Sequence, residues 1–285
     1  MKYVFVGNRK FVLEEMIRCK LDIASIFVIS DTYLENDIKS ISNEYELISS
    51  KKELLQKLDN LEYDILVSNG CPYILPISKM KKKTFINIHP SLLPDLKGID
   101  PVIGSILFNR NAGATCHIMD DTIDGGDIIS QVKIPFSDDL DASLLYQLSF
   151  LAEKESFAIA LNNNFKSIKM QENKNDIIYY SRKDEDKKIV FDESINKITS
   201  RIKAFNNKSQ GAFFIYNHIK YKVFDIEILS NKYLRKYASY FDEYEILFCY
   251  EDSVVFKKDN KIIKLHHIIG DLTKIKINSS IKGIN

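Results

Sequence analysis

The sequence predicts a doubly wound α/β domain built on a mostly parallel sheet, followed by a smaller domain rich in β-structure. Up to about residue 165, short apolar runs alternate with helical segments, which is the pattern of parallel strands joined by crossover helices. The polar stretches NNNFKSIKMQENKND and KDEDKK then interrupt the chain, and the remainder alternates like antiparallel strands. We therefore expect a first domain at residues 1–180 and a second at residues 181–285.

The elements of the first domain follow one another with little interruption. Predicted strands are KYVFVG, ASIFVIS, YELIS, YDILVSNG, TFINI, ATCHIM and DIISQVKI. Predicted helices are FVLEEMIRC, KKELLQKLDNL, PVIGSILFNR with Pro101 in its first turn, and a long helix at residues 141–162 capped by Asp141. The expected inner face of the long helix is Leu144, Leu145, Leu148, Leu151 and Ala152.

The second domain is predicted to hold one short helix and several strands. Apolar residues at helical spacing, Ile195, Ile198, Ile202 and Phe205, mark the helix. The predicted strands are AFFIY, IKYKVFDIEI, YEILFCY, SVVFKK and KIIKLHHI, with a tight turn at Asp259-Asn260. His266 and His267 end an alternating run, and we expect them to be structural.

Composition narrows the classes of function. The 285 residues are 45% hydrophobic with a net charge of +1, which is typical of a soluble protein and not of a general polyanion binder. No apolar run could span a bilayer, and the first residues lack the features of a signal peptide, so we expect a cytoplasmic protein without a membrane partner. The four cysteines are scattered without metal-ligand spacing, which favours reduced thiols.

The stretch FINIHPSLLPDLKGID carries the first sign of chemistry. Asn87 and His89 lie two apart at the end of a strand and therefore point to the same face. Pro90 ends the strand and holds His89 extended, and Leu93–Pro94 is predicted to be a cis peptide. In α/β sheets ligands bind beyond the carboxyl ends of the strands, which is where this pair would lie.

A second segment, ATCHIMDDTIDGGDII, places a carboxylate before two glycines. A calcium loop beginning at Asp120 is excluded, because its twelfth position is Gln131 where a carboxylate is needed. Gly125-Gly126 after Asp124 instead suggests a tightly bent backbone that presents this one side chain. The sequence contains neither G-x-G-x-x-G nor a P-loop, so dinucleotide and nucleoside triphosphate cradles are not expected.

Together, N-I-H-P-S-L-L-P-x-x-K-G and A-T-x-H-x-M-D-x-x-I-D-G-G-D-I-I resemble the folate-dependent formyltransferase family, firmly over about residues 60–160. The resemblance implies a Rossmann-like formyltransferase fold with Asn87, His89 and Asp124 as catalytic residues, 10-formyltetrahydrofolate as the formyl donor and no metal. It also implies a pterin slot between the loop after the fourth strand and the aspartate loop. The expected cofactor-binding residues are Tyr73, Ile74, Leu75, Asp120, Thr122 and Ile123.

Three branches of the family formylate different amines. The purine-synthesis branch has a glycine-rich loop after the first strand, whereas this chain has GNRKF. The initiator-tRNA branch has a basic insertion after the second strand, whereas this chain has the acidic FVISDTYLENDI. Residues 181–285 carry 20 lysines and arginines against 14 acidic residues, a mild surplus of six, so a nucleic-acid partner is not expected.

The segment KGIDP most resembles the branch that formylates nucleotide-linked amino sugars for surface polysaccharide such as lipopolysaccharide O-antigen. Ile99 stands where uronate-linked relatives carry arginine, which favours a neutral deoxy amino sugar on dTDP or UDP. Expected substrate contacts are Ser91, Lys97 and Asn206, and the branch implies a homodimer. Two alternatives stay open, a methionyl-tRNA formyltransferase and a non-catalytic folate- or nucleotide-binding protein on the same fold.

Overall fold

A seven-stranded sheet forms the centre of the first unit. The computed structural model describes residues 1–172, 176–207 and 209–283. The strand order is β3-β2-β1-β4-β5-β6-β7. Neighbouring strands from β3 to β5 in this order are parallel, whereas β6 runs antiparallel to both of its neighbours, β5 and β7. The predicted mostly parallel sheet is thus confirmed. The strands are Lys2–Gly7 (β1), Asp22–Ile29 (β2), Glu46–Ile48 (β3), Ile65–Asn69 (β4), Thr84–His89 (β5), Ala112–Ile118 (β6) and Ile128–Ile134 (β7).

Helices cover both faces of this sheet, because alternate strand residues are apolar on each side. The helices up to residue 162 are Lys10–Arg18 (α1), Tyr33–Asp37 (α2), Lys51–Asp59 (α3), Pro101–Leu107 (α4) and Ala142–Asn162 (α5), of which α1, α3 and α5 contribute to the cores on the two faces. One core cluster joins Phe5 and Val67 to Leu13 of α1 and Phe157 of α5. The other cluster joins strand residues that point to the opposite face, such as Val4 and Val6 of β1, to Leu54 and Leu58 of α3. The sequence did not predict α2.

The inner face of α5 differs from the predicted one. Leu144 and Leu151 are 43% and 53% exposed. The buried positions mix apolar with polar residues: Ala142, Leu145, Ser149, Ala152, Glu153, Ser156, Phe157 and Ala160. Ser156 shows the reason, because its hydroxyl accepts a hydrogen bond from the Cys116 amide at 3.0 Å. Leucine periodicity misplaced this face because a backbone amide beside the irregularity in β6 needs a polar partner from the helix.

The second unit is built from a hairpin and a four-stranded antiparallel sheet. Its elements are Ile195–Ala204 (α6), Ala212–Tyr216 (β8), Ile219–Val223 (β9), Asp225–Leu229 (β10), Lys232–Ala238 (α7), Ile246–Tyr250 (β11), Ser253–Lys258 (β12) and Lys261–His266 (β13). β8 pairs with β9, and the larger sheet has the order β10-β13-β12-β11. The predicted run IKYKVFDIEI divides at Phe224 into two strands of different sheets, and α7 was not predicted.

The chain divides into two compact units, and residues 103–110 and 137–145, which the prediction assigns to the first domain, group with the second. The first comprises residues 1–102, 111–136 and 146–181, and the second comprises residues 103–110, 137–145 and 182–285. The Leu93–Pro94 peptide is cis, which confirms that prediction. Asp259 and Asn260 both have positive φ, as the predicted tight turn requires. In the described parts of the chain, no helix is long and apolar enough to cross a membrane.

Candidate active site

The carboxyl end of β5 brings together the polar residues singled out in the sequence. Asn87 is half-buried and His89 is 5% exposed. The neighbouring strand β6 runs antiparallel to β5, and its register sets His117 directly opposite Asn87. Two imidazoles and one amide therefore lie within a few residues of the strand end, although they come from segments about thirty residues apart.

Hydrogen bonds fix the tautomer of His117 and the orientation of Asn87. The His117 Nδ1 atom lies 2.7 Å from the carbonyl oxygen of Ile118, which can only accept, so Nδ1 carries the proton and donates. Nε2 is then an acceptor, and Nδ2 of Asn87 donates to it at 3.2 Å. One amide hydrogen of Asn87 is thereby engaged, and the other stays available for a bound group.

The same reasoning defines His89. Its Nε2 lies 3.0 Å from the Leu96 carbonyl oxygen and therefore carries the proton that it donates. Its Nδ1 faces Oδ2 of Asp124 at 3.6 Å, and Oδ1 of Asp124 lies 3.8 Å from Nε2 of His117. A single carboxylate thus stands between two imidazoles. Asn87 and Asp124 thus both lie beside His117, and Asp124 also lies beside His89. The catalytic roles of Asn87, His89 and Asp124 stay a prediction.

Burial decides the charge of both imidazoles. It lowers the pKa of His89 below its ordinary value, and the opposing effect of Asp124 is smaller. The pKa of His117 falls to about 4 for the same reason. Asp124 favours the charged form of His89, but desolvation outweighs this effect on the pKa. Near neutral pH the site holds two neutral imidazoles.

The loop that carries Asp124 is shaped by close backbone contacts. Asp124 has φ +48°, and its Oδ2 accepts a hydrogen bond from the Gly98 amide at 3.1 Å. Gly98 itself has φ +105°, and a Cβ there would lie 2.8 Å from the Tyr180 carbonyl oxygen. A Cβ on Gly126 would lie 2.1 Å from the Ile118 carbonyl oxygen. Gly98 and Gly126 therefore permit backbone approaches that a residue with a Cβ would block.

The two loops of the expected pterin slot are joined by a hydrogen bond from the Ser78 amide to Oδ1 of Asp121 at 3.1 Å. Among the six expected cofactor residues, Leu75 is buried and Tyr73 packs partly against the core. The exposed members are Ile74, Asp120, Thr122 and Ile123. Asp120 is engaged within its own loop, where Oδ1 accepts from the Thr122 amide at 2.8 Å. Cofactor contact by all six stays a prediction.

The three expected substrate contacts lie in different surroundings. Ser91 is fully buried and its hydroxyl donates to the Asp95 carbonyl oxygen at 2.8 Å, so in this structure it stabilises its own loop. Lys97 is 5% exposed, with its ammonium 5.8 Å from the centre of the Tyr179 ring. Asn206 belongs to the second unit, where its Oδ1 lies 3.4 Å from the Ser143 amide. Substrate contact by these three residues stays a prediction.

A buried ion pair near the site was missed in the sequence. Arg9, directly after β1, forms a salt bridge with Glu153 of α5, whose side chain is 1% exposed. Burial raises the pKa of Glu153, while Arg9 and Asn69 lower it by less. Arg9 also acts on His89, whose pKa it lowers. A glutamate among alanines and leucines on a long helix is the one signal that could have indicated this pair.

Comparison with known proteins supplies the family. The formyl transferase family model matches residues 35–161, and the model of the formyl transferase C-terminal domain matches residues 182–284. The chain belongs to the formyltransferase family. This formyltransferase is 27% identical over 254 residues to the methionyl-tRNA formyltransferase of Orientia tsutsugamushi, which covers 82% of each chain. It is 39% identical over 101 residues to that of Listeria monocytogenes, a match covering 34% of this chain and 32% of the relative.

Solved structures share the fold of this formyltransferase over most of its length. WlaRD, a sugar 3N-formyltransferase solved with dTDP and 5-N-formyl-THF, has a TM-score of 0.70 at 22% identity and covers 93% of this chain and 96% of its own. The N-formyltransferase of Helicobacter canadensis, in complex with folinic acid and dTDP-3-aminofucose, has a TM-score of 0.71 at 20% identity, covering 93% and 99%. A 4-N-formyltransferase from Francisella tularensis scores 0.65 at 24% identity, covering 76% and 93%.

Proposed function

We propose that this formyltransferase moves a formyl group from 10-formyltetrahydrofolate to the amine of a nucleotide-linked deoxy amino sugar. The observation that carries the choice of acceptor is Ile99. It directly follows Gly98, whose amide binds Asp124, and its side chain is 78% exposed. An exposed apolar side chain next in sequence to the residue that binds the Asp124 carboxylate suits the methyl group of a neutral deoxy sugar and offers no charged partner to a carboxylated one.

The site chemistry follows from the tautomers. The amine nitrogen of the sugar forms a bond to the formyl carbon, and the carbonyl electron pair moves to oxygen. The free amide hydrogen of Asn87 can donate to this developing oxyanion. When the intermediate breaks down, the bond from carbon to N10 of the folate breaks and N10 takes up a proton. No metal is needed to balance these steps.

Asp124 and His89 are suited to move that proton. Oδ2 of Asp124 and the unprotonated Nδ1 of His89 are two acceptors 3.6 Å apart. A proton released by the attacking amine can lie between them until N10 takes it. The hydrogen bond from His89 to Leu96 keeps Nδ1 in the acceptor state. The carboxylate is therefore proposed as the first proton acceptor, with His89 as its partner.

The segment after β2 supports a small acceptor over a tRNA. It forms the short helix α2, which carries Glu35 and Asp37, and Asp37 pairs with Lys10 at 2.8 Å. Acidic side chains here would repel the phosphates of an acceptor stem. The same proposal includes dTDP or UDP as the nucleotide, a homodimer in the cytoplasm, and a place in surface polysaccharide synthesis such as O-antigen assembly.

A methionyl-tRNA formyltransferase is the second candidate, favoured by the 27% identity that extends over 82% of the chain. Both candidates use the same three catalytic residues and the same donor. They differ in acceptor size and in the number of phosphates contacted, so the salt dependence of acceptor affinity distinguishes them. A tRNA enzyme loses affinity steeply as salt rises, whereas two phosphates give a shallow dependence.

The deciding experiment offers the purified protein 10-formyltetrahydrofolate with one acceptor per reaction. The acceptors are charged initiator tRNA, dTDP- and UDP-linked 3-amino and 4-amino deoxy sugars, and the corresponding N-acetyl sugars as matched controls without a free amine. We expect mass spectrometry to show formylation of an amino sugar alone, with weak salt dependence. Turnover of the tRNA alone would overturn the sugar assignment. Folate binding without turnover of any acceptor would favour a non-catalytic binder.

A further inference from the structure

Two consecutive histidines at the end of β13 point to the same side. In an extended strand, neighbouring side chains point to opposite faces. His267 departs from this because its φ is +53°, in the left-handed region that residues with a Cβ seldom occupy. The ring centres of His266 and His267 consequently lie 4.7 Å apart. The sequence predicts only a structural role for this pair, since alternation would have separated the rings.

Asp225 completes the group from the neighbouring strand. It is the cross-strand partner of His266 in the pairing of β10 with β13. Its Oδ1 accepts a hydrogen bond from the Ile226 amide at 2.8 Å, which leaves Oδ2 directed at Nε2 of His266, 3.4 Å away. One carboxylate oxygen is thus held by the backbone while the other faces an imidazole. Oriented carboxylates of this kind are typical of metal sites.

We propose that Asp225, His266 and His267 bind one divalent ion of the zinc type. Within residues 1–172, 176–207 and 209–283, this is the one group of three such side chains whose ligand atoms all lie within 4.8 Å of one another. Ligand atoms about 2.1 Å from a tetrahedral zinc are roughly 3.4 Å apart. The His266–Asp225 separation of 3.4 Å already fits that geometry. Asp225 and His267 are exposed, so small side-chain rotations can bring in the third ligand.

The donor set selects the class of ion. Two imidazole nitrogens and one carboxylate suit zinc, cobalt, nickel or copper, whereas magnesium and calcium prefer oxygen ligands. Lys264 points to the same face of β13 as His266, where its positive charge could oppose a bound cation. It is opposite Glu227 on β10, and its ammonium lies 5.7 Å from the centre of the Tyr250 ring. It therefore has local partners. A bound ion would link β10 to β13 and leave a fourth coordination position for water.

The test is zinc titration by calorimetry, using full-length protein without a histidine tag and stripped with chelator. We expect one ion per chain with a dissociation constant on the order of micromolar, and no binding of magnesium. Asp225→Asn, His266→Ala and His267→Ala should each weaken zinc binding by about tenfold or more. His218→Ala is the matched control, because His218 is also an exposed histidine with positive φ in the second unit. The zinc affinity of this variant should equal that of the parent.

The outcomes separate this site from its competitors. His117→Ala should leave zinc affinity unchanged, because His117 lies in the candidate active site. A loss of binding in His117→Ala with retention in His267→Ala would overturn the proposal and assign zinc to the imidazoles around Asp124. Absence of saturable binding would likewise overturn it and reduce the group to a His266–Asp225 ion pair. Should His266→Ala fail to fold by circular dichroism, the exposed Asp225 and His267 variants decide.

Discussion

The amide nitrogen of Asn87 lies 3.2 Å from Nε2 of His117, and that imidazole can accept its hydrogen bond only because Nδ1 donates to the Ile118 carbonyl oxygen. We therefore propose that His117 is a positioning residue that holds the Asn87 amide in one orientation. Such orientation saves the enzyme from reorganising the donor during the reaction. The consequences can be measured on the formyl-transfer reaction itself.

Replacing His117 by alanine is expected to lower kcat by about tenfold or more, with little change in KM for the folate donor, because the Asn87 amide loses its fixed orientation. His117→Gln offers an acceptor oxygen at this position and should recover part of the lost rate. His218→Ala, on an exposed turn, serves as the control and should match the parent. Equal kcat in the alanine variant and the parent would rule out the positioning role.

Asp124→Asn is expected to keep the fold and to lower kcat by about a hundredfold or more. The asparagine oxygen can still accept from the Gly98 amide, and its NH2 group can donate to Nδ1 of His89, so the loop has no reason to rearrange. What disappears is the pair of proton acceptors. Asp121→Asn removes a charge of the same loop but keeps an oxygen that can accept from the Ser78 amide, so kcat should stay near that of the parent. A well-folded Asp124→Asn enzyme with normal turnover would assign the proton acceptor elsewhere.

Stability should fall as the pH is lowered, partly through His117. Its pKa is about 4 in the folded protein and 6.5 when unperturbed, so below pH 6.5 the unfolded chain binds a proton that the folded chain does not. The loss should reach on the order of 2 to 3 kcal/mol by pH 4. The buried Glu153 has a raised pKa and acts in the opposite direction. The free energy of unfolding in urea should be measured across this pH range for the parent and for His117→Asn. The difference between the two isolates the contribution of His117, since Glu153 is present in both. Parallel pH curves would contradict it.

The Arg9–Glu153 pair predicts an unequal response to removal of its two partners. Arg9→Ala leaves the carboxyl of Glu153 buried without its cation and should cost about 3 kcal/mol in the free energy of unfolding. Glu153→Gln should cost less, because the side chain of Arg9 is 20% exposed and can reach water. The double variant should be more stable than Arg9→Ala. Lys10→Ala, which breaks the exposed pair with Asp37, is the control and should change stability by less than about 1 kcal/mol. A double variant no more stable than Arg9→Ala would contradict this account.

The strands and the catalytic motifs were predictable because they depend on nearby residues. Apolar runs and helical spacing locate β1, β4, β5 and α3 closely, and the spacing of Asn87, His89 and Pro90 sets their face and the strand end. The glycines after Asp124 likewise report a local backbone requirement. Each of these signals lies within a few positions along the chain, where geometry is fixed by covalent structure and secondary-structure period.

The tautomers, the charges and the partners depended on tertiary structure, because they join segments far apart in the chain. The pairing of β5 with β6 makes His117 the acceptor for Asn87, and α5 supplies Glu153 to a residue 144 positions earlier. Periodicity also misplaced Leu144 and Leu151, since it cannot show that the Cys116 amide and Arg9 require a buried serine and a buried glutamate from the helix. Desolvation, which makes both imidazoles neutral, exists only once the chain has packed around them.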